Sequence, residues 1–431
     1  MNWKAFAAFI ALLLCLVAVV ALLMLVRRPD TMTFYFTADT EGYLVPCGCR
    51  TVPAGGLARR VGALKRLRED PSVGKVQPVE IAHGFADRGP GRDILNRAIG
   101  SFFKSQGYLV GVGSYDLLLG LGALNGAAPG VPLFLSGDRS LPGSVEFRLG
   151  GWGVGPIGEK GGRLRLVFLA QTAPGGAPAP DPIKSLREEL AAHPAEGYIV
   201  VGQFNAAAVP EMLKESPKLV AIVGQWRADV TSAPQRTGET WVLYLGDRGR
   251  RSAVLRLSWS QNNWTALPTV AYLGPEVMSD AAVEKEVAGA LEEVSRENRA
   301  ALARIAKPPL QGKAYVGSQA CSRCHPEAFE KWSSTYHSSA TKDLSIDHQE
   351  QNPDCLACHA MGLGKPGGYP QEKVDLSGVQ CETCHGPGEG HPPGRLGADP
   401  ASAETCGKCH GPRDSPMFQL PGFWEAIKHG K

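Results

Sequence analysis

Net charge is nearly absent from this sequence: 45 Lys and Arg stand against 42 Asp and Glu, leaving +3 over 431 residues. So balanced a chain gives no sign of a nucleic-acid partner or of a strongly polarised surface. Cysteine is missing from the whole stretch between Cys49 and Cys321. A disulfide framework spread through the fold is thereby excluded, because eight of the 11 cysteines fall after residue 320 in four close pairs. Aliphatic runs are scarce after Gln311, where Gly, Pro, Cys and His dominate. That segment cannot bury much aliphatic core, so something other than side chains must fill its interior.

Charge is also lacking from Ala5 to Val26 (AFAAFIALLLCLVAVVALLMLV). At about 1.5 Å rise per residue, a helix of this length crosses a hydrocarbon layer of roughly 30 Å. No small-x-small cleavage site precedes Arg27, so residues 5–26 are expected to be an uncleaved transmembrane signal anchor. Cys15 lacks the small residues that a lipoprotein signal places before its cysteine, and reads as a packed or lipid-facing thiol.

Between Thr31 and Pro275, β-rich runs such as TFYFT, RLRLVFLA, YIVVGQ and KLVAIVG alternate with helix-like stretches at Gly56–Glu69, Arg92–Ser105 and Asp181–Ala192. Strands alternating with helices predict an α/β domain over residues 31–275 with buried sheets. Ser279–Ala306 predicts one long helix, capped by Ser279 or Asp280 and stopped by Pro308-Pro309, reading as a spacer over residues 279–306. A third domain follows over residues 313–431.

That last segment carries Cys-x-x-Cys-His four times: Cys321, Cys324 and His325; Cys355, Cys358 and His359; Cys381, Cys384 and His385; Cys406, Cys409 and His410. Two thiols at this spacing reach the two vinyl groups on one side of a porphyrin, and the next histidine lies under the iron. Paired zinc sites or a disulfide redox centre need no histidine in the fifth place four times over. The motifs therefore predict four c-type haems, with the eight cysteines as thioethers and the four histidines as proximal iron ligands. Four histidines remain after residue 320, namely His337, His348, His391 and His429, and these are the candidate distal ligands. Met361 or Met417 could replace one of them. A sixth ligand favours outer-sphere electron transfer, whereas an open iron suggests small-molecule chemistry. Because haem attachment in bacteria takes place outside the cytoplasmic membrane, the bulk of the chain is expected in the periplasm, held to the cytoplasmic membrane by one helix.

YVGSQACSRCHPEAFEKWSSTYHSSA, DCLACHAMGLGKPGGY, GVQCETCHGPGEGH and ETCGKCHGPRDSPMFQLPGFWEAIKHGK resemble the tetrahaem cytochrome c554 family over nearly all of Ala314–Lys431. The resemblance implies a mainly α-helical domain with closely packed haems. In that family three irons typically have two histidines and one can lack a sixth ligand. His337, His391 and His429 match family positions; His348 matches none.

Residues 33–275 are similar to the calcineurin-like metallophosphatases, in particular the exported 5′-nucleotidase branch. The likeness rests on TFYFTADTEGYLVPCGC, GGLARRVGALKRLRE, QGYLVGVGSYDLLLG and KLVAIVGQW. That family binds two metals, but here Asp39 alone survives among its motifs. Glu41 stands where a histidine belongs, the Gly-Asp position reads Gly84-Phe85, and the Asn-His-Glu position reads Ser114-Tyr115-Asp116. Gln203-Phe204 ends the strand of the lone histidine, and Gly-His-x-His has become Gly224-Gln225-Trp226-Arg227. Two cations cannot be held by what remains, so phosphoesterase activity is not expected. His83 lies close to a motif position. Cys47 and Cys49 could be a structural pair, a redox pair or two metal thiolates, and all three readings stay open.

The expected chain is thus an anchored multidomain protein: a transmembrane helix, a metallophosphatase-like α/β sandwich and a multihaem cytochrome domain exchanging electrons with donor and acceptor redox proteins. The alternative is a multihaem oxidoreductase acting on a small nitrogen or oxygen compound at a five-coordinate haem.

Overall fold

The computed structural model describes residues 31–46, 53–149, 162–225, 233–246, 248–305, 309, 313–390, 403–411, 415 and 418–429. In chain order its first part contains β1 (Thr31–Thr37), α1 (Leu57–Glu69), β2 (Lys75–Glu80), α2 (Arg92–Gln106), β3 (Leu109–Gly111), α3 (Leu121–Ala127), β4 (Leu133–Phe134), β5 (Ser144–Leu149) and β6 (Gly162–Ala170). There follow α4 (Pro182–Ala192), β7 (Gly197–Gln203), α5 (Val209–Glu215), β8 (Leu219–Gln225), β9 (Gln235–Thr237), β10 (Thr240–Tyr244), β11 (Arg251–Ser260), β12 (Asn263–Tyr272) and α6 (Ala281–Arg304).

Side chains alternate across a strand, so a strand buried on both faces serves two cores. In β1, Phe34 and Phe36 face the interior between two sheets, while Tyr35 joins the cluster under the helices. The first sheet runs β12-β11-β1-β2-β3-β4 and the second β5-β6-β7-β8-β10-β9. Between them Phe34 and Phe36 meet Leu166, Phe168, Ile199, Val201 and Val223. Outside the first sheet lies a cluster containing Val61 of α1, Ile99 and Phe103 of α2, and Val287 and Val294 of α6. Outside the second, Leu186 of α4 and Met212 of α5 cover Val200 and Ile222. The layers are helix, sheet, sheet, helix.

The helix expected as a spacer is therefore part of the core. Asp280 caps α6, accepting from the Ala282 and Val283 amides at 3.1 Å each, and pairs with Lys65 of α1. Gly91 permits the approach, since a Cβ there would lie 2.8 Å from Val294 Cγ1. The strand β12 was not foreseen. It returns from β11 through Gln261-Asn262, both left-handed (φ 51 and 57), a two-residue hairpin made without glycine.

The second part has α7 (Ser318–Cys321), α8 (Pro326–Ser333), α9 (Ala340–Asp343), α10 (Pro353–His359), α11 (Cys381–His385), α12 (Ala403–Gly407) and α13 (Leu420–Ile427). It meets the first part where the Gly89 amide donates to Asp354 at 3.1 Å.

The expectation of a transmembrane helix is corrected. Among the described residues no helix is long and apolar enough to cross a membrane. The longest, α6, is amphipathic, with Glu and Arg along its outer face and only Val287, Val294 and Asn298 buried. The expected span at Ala5–Val26 lies outside the described residues, as do Cys47, Cys49, His391 and Met417.

Candidate functional sites

The four Cys-x-x-Cys-His segments are short helical turns gathered into one region. The Cys321 thiol is pushed up to about 11 by burial and by the Cys381 thiol beside it. Burial and then the neighbouring Cys406 thiol likewise raise Cys384. Cys358 Sγ lies 4.0 Å from the Lys408 carbonyl. The segments are thus neighbours in the order first, third, fourth, second. All eight thiols are free of disulfide bonds.

A buried carboxylate laces the first and third segments together. Glu382, inside CETCH, accepts from the Val316, Gly317 and Gly388 amides at 3.0, 2.8 and 2.7 Å. Gln380 accepts from the Ser318 amide at 2.7 Å, and Ser318 Oγ accepts from the Cys381 amide at 3.0 Å. Thr341 ties in the second segment, donating to the His359 carbonyl while accepting from the Gly378 amide. Glu382, Gln380 and Thr341 were not anticipated, because nothing in the motif spacing distinguishes them from surface residues.

Three of the histidines are bonded at Nδ1. His359 Nδ1 donates to the Ala340 carbonyl at 2.8 Å, and His429 Nδ1 to the Ile427 carbonyl at 3.0 Å. His410 Nδ1 meets Ser415 Oγ at 2.9 Å. A ring held at Nδ1–H presents Nε2 as its lone-pair donor, the arrangement seen in metal-bound histidines. His385 and His429 lie 5.8 Å apart between ring centres, and His337 and His410 lie 6.0 Å apart. Burial, and then the charges of His429 and His325, hold His385 below the usual imidazole range. Burial and then His410 do the same to His337. His348 lines a cavity of ≈ 540 Å³ whose other walls include Leu44, Ala58, Val287 and Leu291. Met361 is buried.

In the α/β part, the chain positions of the metallophosphatase motifs gather at the carboxyl ends of β1, β2, β3 and β7, the usual ligand-binding edge of such a sheet. Ser114 and Gln203, which replace an asparagine and a histidine, bond to each other at 3.2 Å. The 171–179 loop closes over them: the Ala173 amide donates to Ser114 Oγ at 3.2 Å, and the Tyr115 hydroxyl donates to the Pro174 carbonyl at 3.1 Å. Asp116 accepts from the Phe85 and Gly113 amides and is pushed up to about 6, chiefly by burial. Phe85 is itself a core residue. These residues bond to one another and do not fit a dinuclear centre. Trp226 and Arg227 lie outside the described residues.

A family model described as cytochrome c554 and c-prime matches residues 320–386. Cytochrome c-554 of Nitrosomonas europaea is 35% identical over 91 aligned positions, covering 17% of this chain and 39% of that protein. The likeness thus spans well under half of the relative's length. Among solved structures, NAD nucleotidase NadN of Haemophilus influenzae superposes with a TM-score of 0.51 at 13% identity, covering 70% of this chain and 66% of that one. Sulfate thiohydrolase SoxB of Thermus thermophilus does so with a TM-score of 0.50 at 14% identity, covering 62% and 61%. The chain joins a metallophosphatase-like fold to a region similar to the cytochrome c554 family. At such identities the structural likeness speaks to fold alone. The cytochrome likeness indicates c-type haem with iron.

Proposed function

We propose that this chain is a four-haem c-type cytochrome that carries electrons between other redox proteins on the periplasmic side of the cytoplasmic membrane. The observation that carries the reading is the spacing of the two histidine pairs. Two imidazoles on opposite faces of one metal, each bonded at about 2.0 Å, put their ring centres about 6 Å apart. The pairs His385–His429 and His410–His337, at 5.8 and 6.0 Å, match that spacing.

Haem supplies a one-electron iron couple. The chain supplies the rest. Cys321, Cys324, Cys355, Cys358, Cys381, Cys384, Cys406 and Cys409 would hold the macrocycles, and His325, His359, His385 and His410 would bind the irons. His429 with His385, and His337 with His410, would complete the ligands of the third and fourth irons, which would keep water and substrates off them. Glu382, Gln380 and Thr341 fix the segments relative to one another, so the order first, third, fourth, second gives a continuous path. Outward attachment of haem in bacteria supports an exported location.

A second reading is favoured by the place of His348. It lines the cavity beside α1 and α6, and the neighbour of His359 is another motif histidine, His410. The second site would then keep an open iron, suited to a small nitrogen or oxygen compound. The test of the first reading is the mature protein's mass, together with a haem-dependent peroxidase stain on a denaturing gel. Four added macrocycles are expected. A stain-negative band, or a mass with fewer than four, ends it.

A further inference from the structure

Glu382 differs from its counterparts inside the other Cys-x-x-Cys-His segments. The place after the first cysteine is Ser322, Leu356, Glu382 and Gly407 in chain order, so only the third segment has a charge there. Arg323 and Lys408, one place further on in the first and fourth segments, are exposed, whereas Glu382 is 3% exposed. Water screens the two cations. At equal distance, a charge in surroundings of effective dielectric about 20 acts about fourfold more strongly than one in water at about 80.

The hydrogen bonds hold Glu382 as an anion. Its Oε1 accepts from the Val316 amide at 3.0 Å and the Gly388 amide at 2.7 Å, and its Oε2 accepts from the Gly317 amide at 2.8 Å. Each of these groups can only donate, and a carboxylic acid would need an acceptor for its proton. Successive amides aimed at one group make an anion-binding concavity. Gly317 forms its side of it with a left-handed φ of 79, and a Cβ on Gly388 would lie 3.2 Å from Glu382 Oε1. Among the described residues no Lys or Arg pairs with Glu382, so its charge is not cancelled. That charge is felt in the first segment: after burial and the Cys381 thiol, it is a further cause of the raised Cys321 thiol. After burial, it also raises the Tyr315 hydroxyl.

An oxidised haem iron carries one more positive charge than a reduced one. A buried, uncancelled anion nearby favours the oxidised form and so lowers the reduction potential. We propose, resting on the four-haem reading, that the Glu382 carboxylate lowers the reduction potentials of the haems held by the first and third segments. It acts by charge on both, in addition to lacing the segments together.

The full-length haem-loaded protein and its Glu382→Gln and Glu382→Asp variants are titrated spectroelectrochemically and unfolded with denaturant. Gln removes the charge at nearly constant volume; Asp keeps the charge and withdraws it from the amides. In Glu382→Gln a two-electron share of the four-electron curve is expected to move to higher potential. The oxidised-to-reduced ratio at fixed potential changes about tenfold, which is about 59 mV for a one-electron step. Glu382→Asp is expected to lose stability as well, while its curve stays close to that of the unsubstituted protein. If Glu382→Gln does not fold, Glu382→Ser, the residue found at this place in the first segment, carries the test. A neutral variant whose curve superimposes on that of the unsubstituted protein overturns the proposal. So do equal shifts in the neutral and Asp variants, since displaced segments and not charge would then set the potentials. Absence of haem absorbance from the unsubstituted protein overturns the four-haem reading and this proposal with it; a superimposed curve overturns this proposal alone.

Discussion

The two parts of this chain fill their interiors in opposite ways. The α/β part buries three continuous clusters of aliphatic and aromatic side chains. Among the described residues after 313, the buried hydrophobic ones are few: Ala340, Leu356, Ala360, Met361 and Leu376. Its polar groups are arranged to hold something, with thiols at fixed spacing and the imidazoles of His359, His410 and His429 bonded at Nδ1. The α/β part has metallophosphatase-like layers, and at its strand ends Ser114 bonds Gln203 while Asp116 accepts from the Phe85 and Gly113 amides. The region after residue 313 has no such aliphatic reserve.

That contrast can be broken most sharply by withholding haem. Protein made without haem attachment is expected to be cut readily by protease within residues 313–431 while residues 31–305 survive. Equal resistance of both parts would contradict the comparison. Next in size, Phe34→Ala empties the interior between the sheets and is expected to cost about 3–5 kcal/mol. Chemical denaturation followed by tryptophan fluorescence would show the loss, and the haem absorbance should keep its native shape. Glu382→Ala acts on the other part. It leaves the Val316, Gly317 and Gly388 amides without their carboxylate and should destabilise the haem region by about 1.5–3 kcal/mol, read from haem absorbance during denaturation. The smallest effect is expected for Asp280→Ala, which removes the α6 cap at about 1 kcal/mol and lowers the melting temperature without touching the haem spectrum.

The two parts were also unequally legible. Buried strands such as β1, β7 and β8 are continuous apolar runs and show in the sequence at once. The edge strands β5, β9 and β12 are polar on one side or throughout, and their pairing is set by partners far along the chain. α6 was visible as a helix, capped at Asp280, but its apolar stripe of Val287 and Val294 is too narrow to reveal that it packs on α1 and α2. The Cys-x-x-Cys-His segments are local and hence readable. Which distal histidine faces which segment is a long-range matter, and spacing could not pair His429 with His385 or His337 with His410. The same holds for Glu382, a single letter inside a motif that permits any residue there.

The central claim is that His429 and His337 close the third and fourth haem sites. Electron paramagnetic resonance of the oxidised protein tests it most directly. His429→Ala and His337→Ala should each convert one low-spin haem to high spin, and the double variant should convert two. Spectra in which both substitutions leave the number of low-spin haems unchanged would contradict the account.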